Sequence, residues 1–245
     1  MHRPQPGFTL IEAILVIVII GIMATVALRS LQPAVGQARV EATTQEMDLL
    51  AEAIAGDESL VEGGIRVDFG YVGDVGALPP NLDALVTNPG GYSTWDGPYI
   101  RSAFTEDADD FKEDAWGNSY TYTGGVTITS SGGGSTITKQ FAENASDLTS
   151  NTVTGNVCDG LGAGPGSDDT LVTVTIFYPD GSGEVTSSST NPSAAGAFSF
   201  TSSITIGNHL LRAVYSTTDD TTSMYVSVTP GVTTYCELRF AGSIW

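Results

Sequence analysis

The chain has 245 residues, 41% of them hydrophobic, so it can bury a core as one large domain or two small ones. It carries 28 acidic against 9 basic residues, a net charge of −19. That balance argues against nucleic acid as a partner, because phosphates need clustered cations, and against anionic membrane surfaces for the soluble part. Catalysis is poorly provisioned, with two histidines and two cysteines. Both lysines, Lys112 and Lys139, lack a following Ser or Thr, so no P-loop exists, and neither GxSxG nor HExxH occurs. No catalytic residue and no cofactor are expected.

The first element is a polar leader, MHRPQPG, followed by an apolar run from Phe8 to Leu28. As a helix that run spans about 32 Å at 1.5 Å per residue, roughly the hydrocarbon thickness of a bilayer. A cleaved secretory signal places small residues after its apolar stretch, and such sites are poor here. A plain anchor explains the length but not Glu12, because a carboxylate in lipid is costly and points to function. Apolar residues recur beyond the run at Val35, Ala38, Ala42, Leu49 and Ala53, which predicts that the helix continues with that face buried. Gly56 is the expected stop, with Gly21 and Pro33 as weak points.

The string Gly7-Phe8-Thr9-Leu10-Ile11-Glu12 before a long aliphatic helix resembles the class III signal of type IV pilins and type II secretion pseudopilins. The resemblance implies cleavage by a prepilin peptidase after Gly7 and methylation of Phe8. It implies that Glu12 assists entry into a helical homo-oligomeric filament. The amine of Phe8 is its obvious ion-pair partner.

The middle of the chain opens with turn signals over residues 57–75. Ala77–Val86 then predicts a Pro-Pro break and a short helix capped near Asn81, and alternation through Tyr120, Tyr122, Val126 and Ile128 predicts a hairpin. Leu78–Val86, Trp95-Asp96-Gly97-Pro98-Tyr99 and Asp114-Ala115-Trp116-Gly117-Asn118-Ser119-Tyr120 resemble strings of the major pseudopilin G family, so the resemblance covers roughly residues 7–130. These residues are expected to shape turns and fill a core. The family pattern continues into an Asp-rich calcium loop. Here TGGVTITSSGGGSTITKQF holds no acid, and none lies between Asp114 and Glu143, so the family's calcium ligands are not matched. The cluster Glu106-Asp107-Ala108-Asp109-Asp110 is expected to be a solvated acidic loop rather than a metal site.

Residues 151–245 hold 8 acids, 2 bases and 29 Ser or Thr, a composition suited to an extracytoplasmic β domain. Strands are expected at Thr152–Cys158, Leu171–Tyr178, Ala197–Phe200, His209–Ser216, Ser223–Thr229 and Thr233–Phe240. Their order weakly resembles small Ig-like or carboxypeptidase-regulatory-like modules. Cys158 and Cys236, in the first and last strands, are expected to form a disulfide in an oxidising periplasm. His209, within a strand pattern, is expected to be structural.

The expected fold class is α+β. A long pilin helix packs on a small antiparallel sheet domain, followed by an Ig-like or transthyretin-like β-sandwich. The expected divisions are a leader at 1–7, the helix at 8–56 with 8–28 crossing the inner membrane, a pseudopilin domain at 57–150 and the β domain at 151–245. The expected partners are prepilin peptidase, an inner-membrane assembly platform and minor pseudopilins, with the C-terminal domains in the periplasm. The function implied is a type II secretion-like pseudopilus subunit that drives protein export. The alternatives are a type IV pilin, major or minor, displaying its β module for adhesion, and a membrane-anchored periplasmic enzyme.

Overall fold

The computed structural model describes residues 9–100 and 109–245. Helix α1, Leu10–Ala55, runs unbroken through Gly21 and Pro33 for 46 residues, about 69 Å at the usual rise. From Leu10 to Glu41 its described side chains are exposed. Its last turns bury a stripe of Thr43, Met47, Leu50 and Ile54, spaced three and four apart. This corrects the predicted face. Of those five residues only Ala53 joins the core, while Val35 is 51% and Leu49 63% exposed. The stripe was obscured because it includes a polar residue, Thr43, which is fully buried.

Gly56 ends α1 with φ +83°, and a side chain there would strike the backbone of Asp68 and Phe69. The final carbonyls are met by Arg66, whose Nη2 donates to Ala55 O at 2.6 Å and Gly56 O at 3.0 Å. The guanidinium also lies 4.8 Å over the Phe69 ring. A buried cation at a helix C-terminus satisfies orphan carbonyls and complements the helix dipole.

A two-residue hairpin follows, β1 (Val61–Glu62) with β2 (Ile65–Arg66), turned by Gly63 and Gly64. Helix α2, Gly70–Val75, lies where only turns are predicted. Six residues are too few for a periodic pattern, and α2 is held by burial of Tyr71, Val72 and Val75. Asn81 caps a 3₁₀ turn at Leu82–Leu85, its side chain accepting from Ala84 N at 3.2 Å. Strand β3, Thr127–Ser130, pairs mainly with β4, Ile137–Gln140. The predicted Tyr120–Ile128 pairing is reduced to one bridge, Thr121 with Thr129. These elements and the short helix α3, Ala145–Thr149, enclose a core of Met47, Leu50, Ile54, Leu85, Ile128 and Leu148.

Seven strands complete the chain. They are β5 (Asn151–Cys158), β6 (Val172–Pro179), β7 (Val185–Thr190), β8 (Ala197–Ile204), β9 (Gly207–Tyr215), β10 (Asp220–Val228) and β11 (Thr234–Arg239). Strand β7 is unforeseen because VTSSST has no apolar alternation, and its antiparallel ladder with β6 holds it as an edge. The sheets β10-β9-β6-β7 and β11-β5-β8 enclose a shared core that includes Val157, Ile176, Phe200, Leu211, Val228 and Leu238. His209 lies on β9, within the strand that the sequence pattern predicts. It is buried, with Nε2 2.7 Å from Thr205 O, and burial lowers its pKa.

The expected disulfide is absent, and both cysteines are buried free thiols. Strands β5 and β11 pair in parallel, with Cys236 opposite Gly155 and Cys158 opposite Arg239. The cysteines are thus three residues out of register, about 10 Å along the ladder at roughly 3.3 Å per residue. A disulfide tolerates Cα atoms no more than about 7 Å apart. Strand alternation adds a second bar, because Cys236 faces the core beside Leu238 while Cys158 turns the other way, near Glu237 and Arg239. Burial raises both pKa values, that of Cys236 to about 11, which suppresses the reactive thiolate. Non-reducing peptide mapping should find both thiols free. A Cys158–Cys236 peptide would contradict the parallel register.

Candidate functional site

Two regions carry the functional reading. One is the bare N-terminal part of α1. The other is the clasp that fixes the opposite part of that helix to the body.

Thr9 caps α1, its Oγ1 accepting from Glu12 N at 3.4 Å. Glu12 therefore lies in the first turn, where an anionic side chain complements the positive end of the helix dipole. Gly7 and Phe8 lie outside the described residues. Along the following turns Leu10 is 79%, Ile11 74% and Ile17 70% exposed. The helix is long and apolar enough to cross a membrane, and none of its most apolar eighteen-residue window is buried. Each such aliphatic side chain gains about 1.5–3 kcal/mol on leaving water. Among the described residues nothing covers this stretch, and lipid or neighbouring helices would supply that gain.

The clasp is built from the Asp114–Tyr120 string. Asp114 is 4% exposed. Its Oδ1 accepts from Trp116 N and Asn118 N, both at 2.9 Å, and its Oδ2 from Ser130 Oγ at 2.6 Å. Burial alone would raise the Asp114 pKa, but the donors from Ser130, Asn118 and Trp116 outweigh it and hold the carboxyl below the ordinary carboxylate value. The string then grips α1. Ala115 N donates to Thr43 Oγ1 at 3.1 Å, and Tyr120 Oη donates to Glu46 Oε2 at 2.7 Å. Lys139 of β4 reaches Asp48 at 2.6 Å. The Trp116 ring lies on Gly132 and Gly133, where any Cβ would meet it.

The residues where the family resemblance places a calcium loop do not fit a calcium ion. The Asp114 oxygens are taken by protein donors, and Ser131–Ser135 adds no carboxylate. Among the described residues no cluster of three or more His, Cys, Asp or Glu could hold a metal. Of the acidic loop, Glu106-Asp107-Ala108 lies outside the described residues, and Asp109 pairs with Lys112 at 2.6 Å.

A family model for the prokaryotic N-terminal methylation motif matches residues 2–28, which include the cap and Glu12. The type II secretion system core protein G of Xanthomonas campestris pv. campestris is 33% identical over 122 residues, covering 48% of this chain and 68% of that protein. The chain belongs to the pseudopilin family. It is a pilin-like structural subunit, and its exposed apolar helix is that of a membrane-anchored pseudopilin. No solved structure gives a significant match.

Sequence reasoning singled out Glu12 and the Asp114 string. It missed that Thr43, Glu46 and Ser130 receive that string. Thr43 alone carried a signal, as a hydroxyl at a heptad-like position, but its partner is 72 residues away.

Proposed function

We propose that this pseudopilin is the filament subunit of a type II secretion-like pseudopilus and acts mechanically in protein export. Prepilin peptidase cuts after Gly7 and methylates Phe8. The subunit waits in the inner membrane by residues 8–28, with residues 57–150 and 151–245 in the periplasm. An inner-membrane platform and minor pseudopilins receive it, and Glu12 guides its entry into the growing helical bundle. The C-terminal module is an Ig-like or transthyretin-like sandwich carried on the outside of that bundle.

The observation that carries this reading is the division of labour along α1. One rigid helix offers bare aliphatic residues over its first part and is fastened to a folded body over its last turns. A force on the buried helices is thereby transmitted to the body. The same geometry serves a type IV pilin, so the deciding test is genetic. Deleting the gene should stop exoproteins from leaving the cell while long surface filaments persist. Lost filaments with secretion intact would replace the pseudopilus reading by the pilin one.

A further inference from the structure

The C-terminal module is seated on the pilin body through specific contacts. Gly181 N donates to Val75 O at 2.9 Å, and Ser93 N to Gly183 O at 2.8 Å. Gly76 approaches Pro179 so closely that a Cβ would clash. Beside this seam lies a cleft of about 530 Å³ between α2, the segment at Ser93–Thr94 and the outer face of β6 and β9. Its floor is formed by Phe177 and Leu210 in cross-strand register, with the Arg212 guanidinium 5.6 Å from the centre of the Phe177 ring. Its walls hold Asp74 and Asn208.

Three features distinguish this cleft from an ordinary seam. Thr94 Oγ1 is buried with no hydrogen-bond partner, and an orphan hydroxyl calls for an explanation. Asp74 Oδ2 accepts from Tyr99 Oη at 2.8 Å, which leaves the other oxygen for a further donor. The cleft also opens onto an unusual surface for a chain of net charge −19. On β6, β7, β9 and β10 the outward positions alternate with the core residues, and none is Asp or Glu. They are hydroxyl, amide and apolar residues, with Arg212 as the single charge and Tyr225 71% exposed. Thr175 and Ser189 hydroxyls pair across this face at 2.8 Å.

Charge selects the occupant. An anionic partner would be repelled by Asp74, Asp180 and Glu184 at the foot of the face, and a cationic one has more acidic surface elsewhere. A neutral, polyhydroxylated ligand fits both parts, with its C–H face against an apolar floor and its hydroxyls toward a few convergent polar groups. We propose that this cleft binds a neutral saccharide, packed on Phe177 and Leu210 and hydrogen-bonded by Asp74 and Asn208.

The test uses the mature full-length chain in a non-glycosidic detergent, probed with neutral glucan, mannan and chitin oligosaccharides alongside acidic uronic-acid oligomers. Calorimetric titration should detect at least one neutral oligomer and none of the acidic ones. Asn208→Ala, at an exposed position, should weaken binding about tenfold, roughly the loss of one or two ligand hydrogen bonds. Phe177→Ala should weaken it further, and Tyr235→Ala on the other sheet should leave it unchanged. No neutral oligomer bound, a preference for acidic ones, or undiminished binding by the Asn208 variant would each overturn the assignment. Asn208→Ala keeps the test valid should Phe177→Ala fail to fold.

Discussion

Glu12→Ala subunits should be inserted, cut after Gly7 and methylated like the natural chain, yet fail to build filaments. The substitution removes the one charge from an otherwise apolar run, so membrane insertion becomes easier. The proposed cleavage site after Gly7 is untouched by the substitution. Assembly is where the loss falls. In a bundle of apolar helices a carboxylate needs a cation, and the proposed cleavage would create one, the methylated amine of Phe8. The amine survives in the variant, and an uncompensated buried charge costs about 3–5 kcal/mol. Three kcal/mol is roughly a 150-fold loss in the equilibrium for adding a subunit. The pair also fixes axial register, because a single offset brings amine and carboxylate together. Glu12→Gln, which keeps shape without charge, should fail nearly as badly. Intact mass measures processing, and sheared or cross-linked filament yield measures assembly. Processed Glu12→Ala that assembles at natural levels would refute charge pairing, and unprocessed protein would assign Glu12 to peptidase recognition instead.

Much of this molecule was legible because local chemistry decided it. The GFTLIE string, the length of the apolar run, the stop at Gly56 and the cap at Asn81 each rest on residues within a few positions of one another. Six of the last seven strands were readable for the same reason, since period-two alternation is a local signal. What escaped depends on distant partners. The buried stripe of α1 includes Thr43, polar in sequence and met by Ala115 N, 72 residues away. The disulfide expectation failed on strand direction. Two cysteines in the first and last strands of a module invite pairing, but β11 joins β5 in parallel and three residues out of step. No residue type announces that register.

Asp114→Ala should be the most destabilising single change in the body of the protein outside its apolar core. It removes the acceptor for Trp116 N, Asn118 N and Ser130 Oγ at a site 4% exposed. Buried donors left without acceptors cost about 1–3 kcal/mol each, and partial rescue by water brings the total to roughly 3–4 kcal/mol. For a domain of this size that is a fall in melting temperature of about 10 °C. Trp116 rests on the glycines of the same loop, so its fluorescence should report the loosening directly. Asp114→Asn keeps one acceptor oxygen and should lose less, about half as much. Acid should imitate the alanine variant. Because the folded pKa of Asp114 is lowered, its contribution is complete above its unfolded value, near 4, and disappears as pH falls through the lower folded value. Asp74 acts in the opposite sense. Burial raises its pKa to about 6, so the stability it contributes is complete below its unfolded value and disappears as pH rises through about 6. Melting curves of the natural chain and Asp114→Ala should therefore converge below pH 4 and stand furthest apart at neutral pH. Because Asp114 is satisfied by protein donors, a calcium chelator should leave the natural curve where it was. A chelator-induced fall, or an Asp114→Ala curve that overlays the natural one at pH 7, would show that something other than this hydrogen-bonded carboxylate holds the loop to the helix.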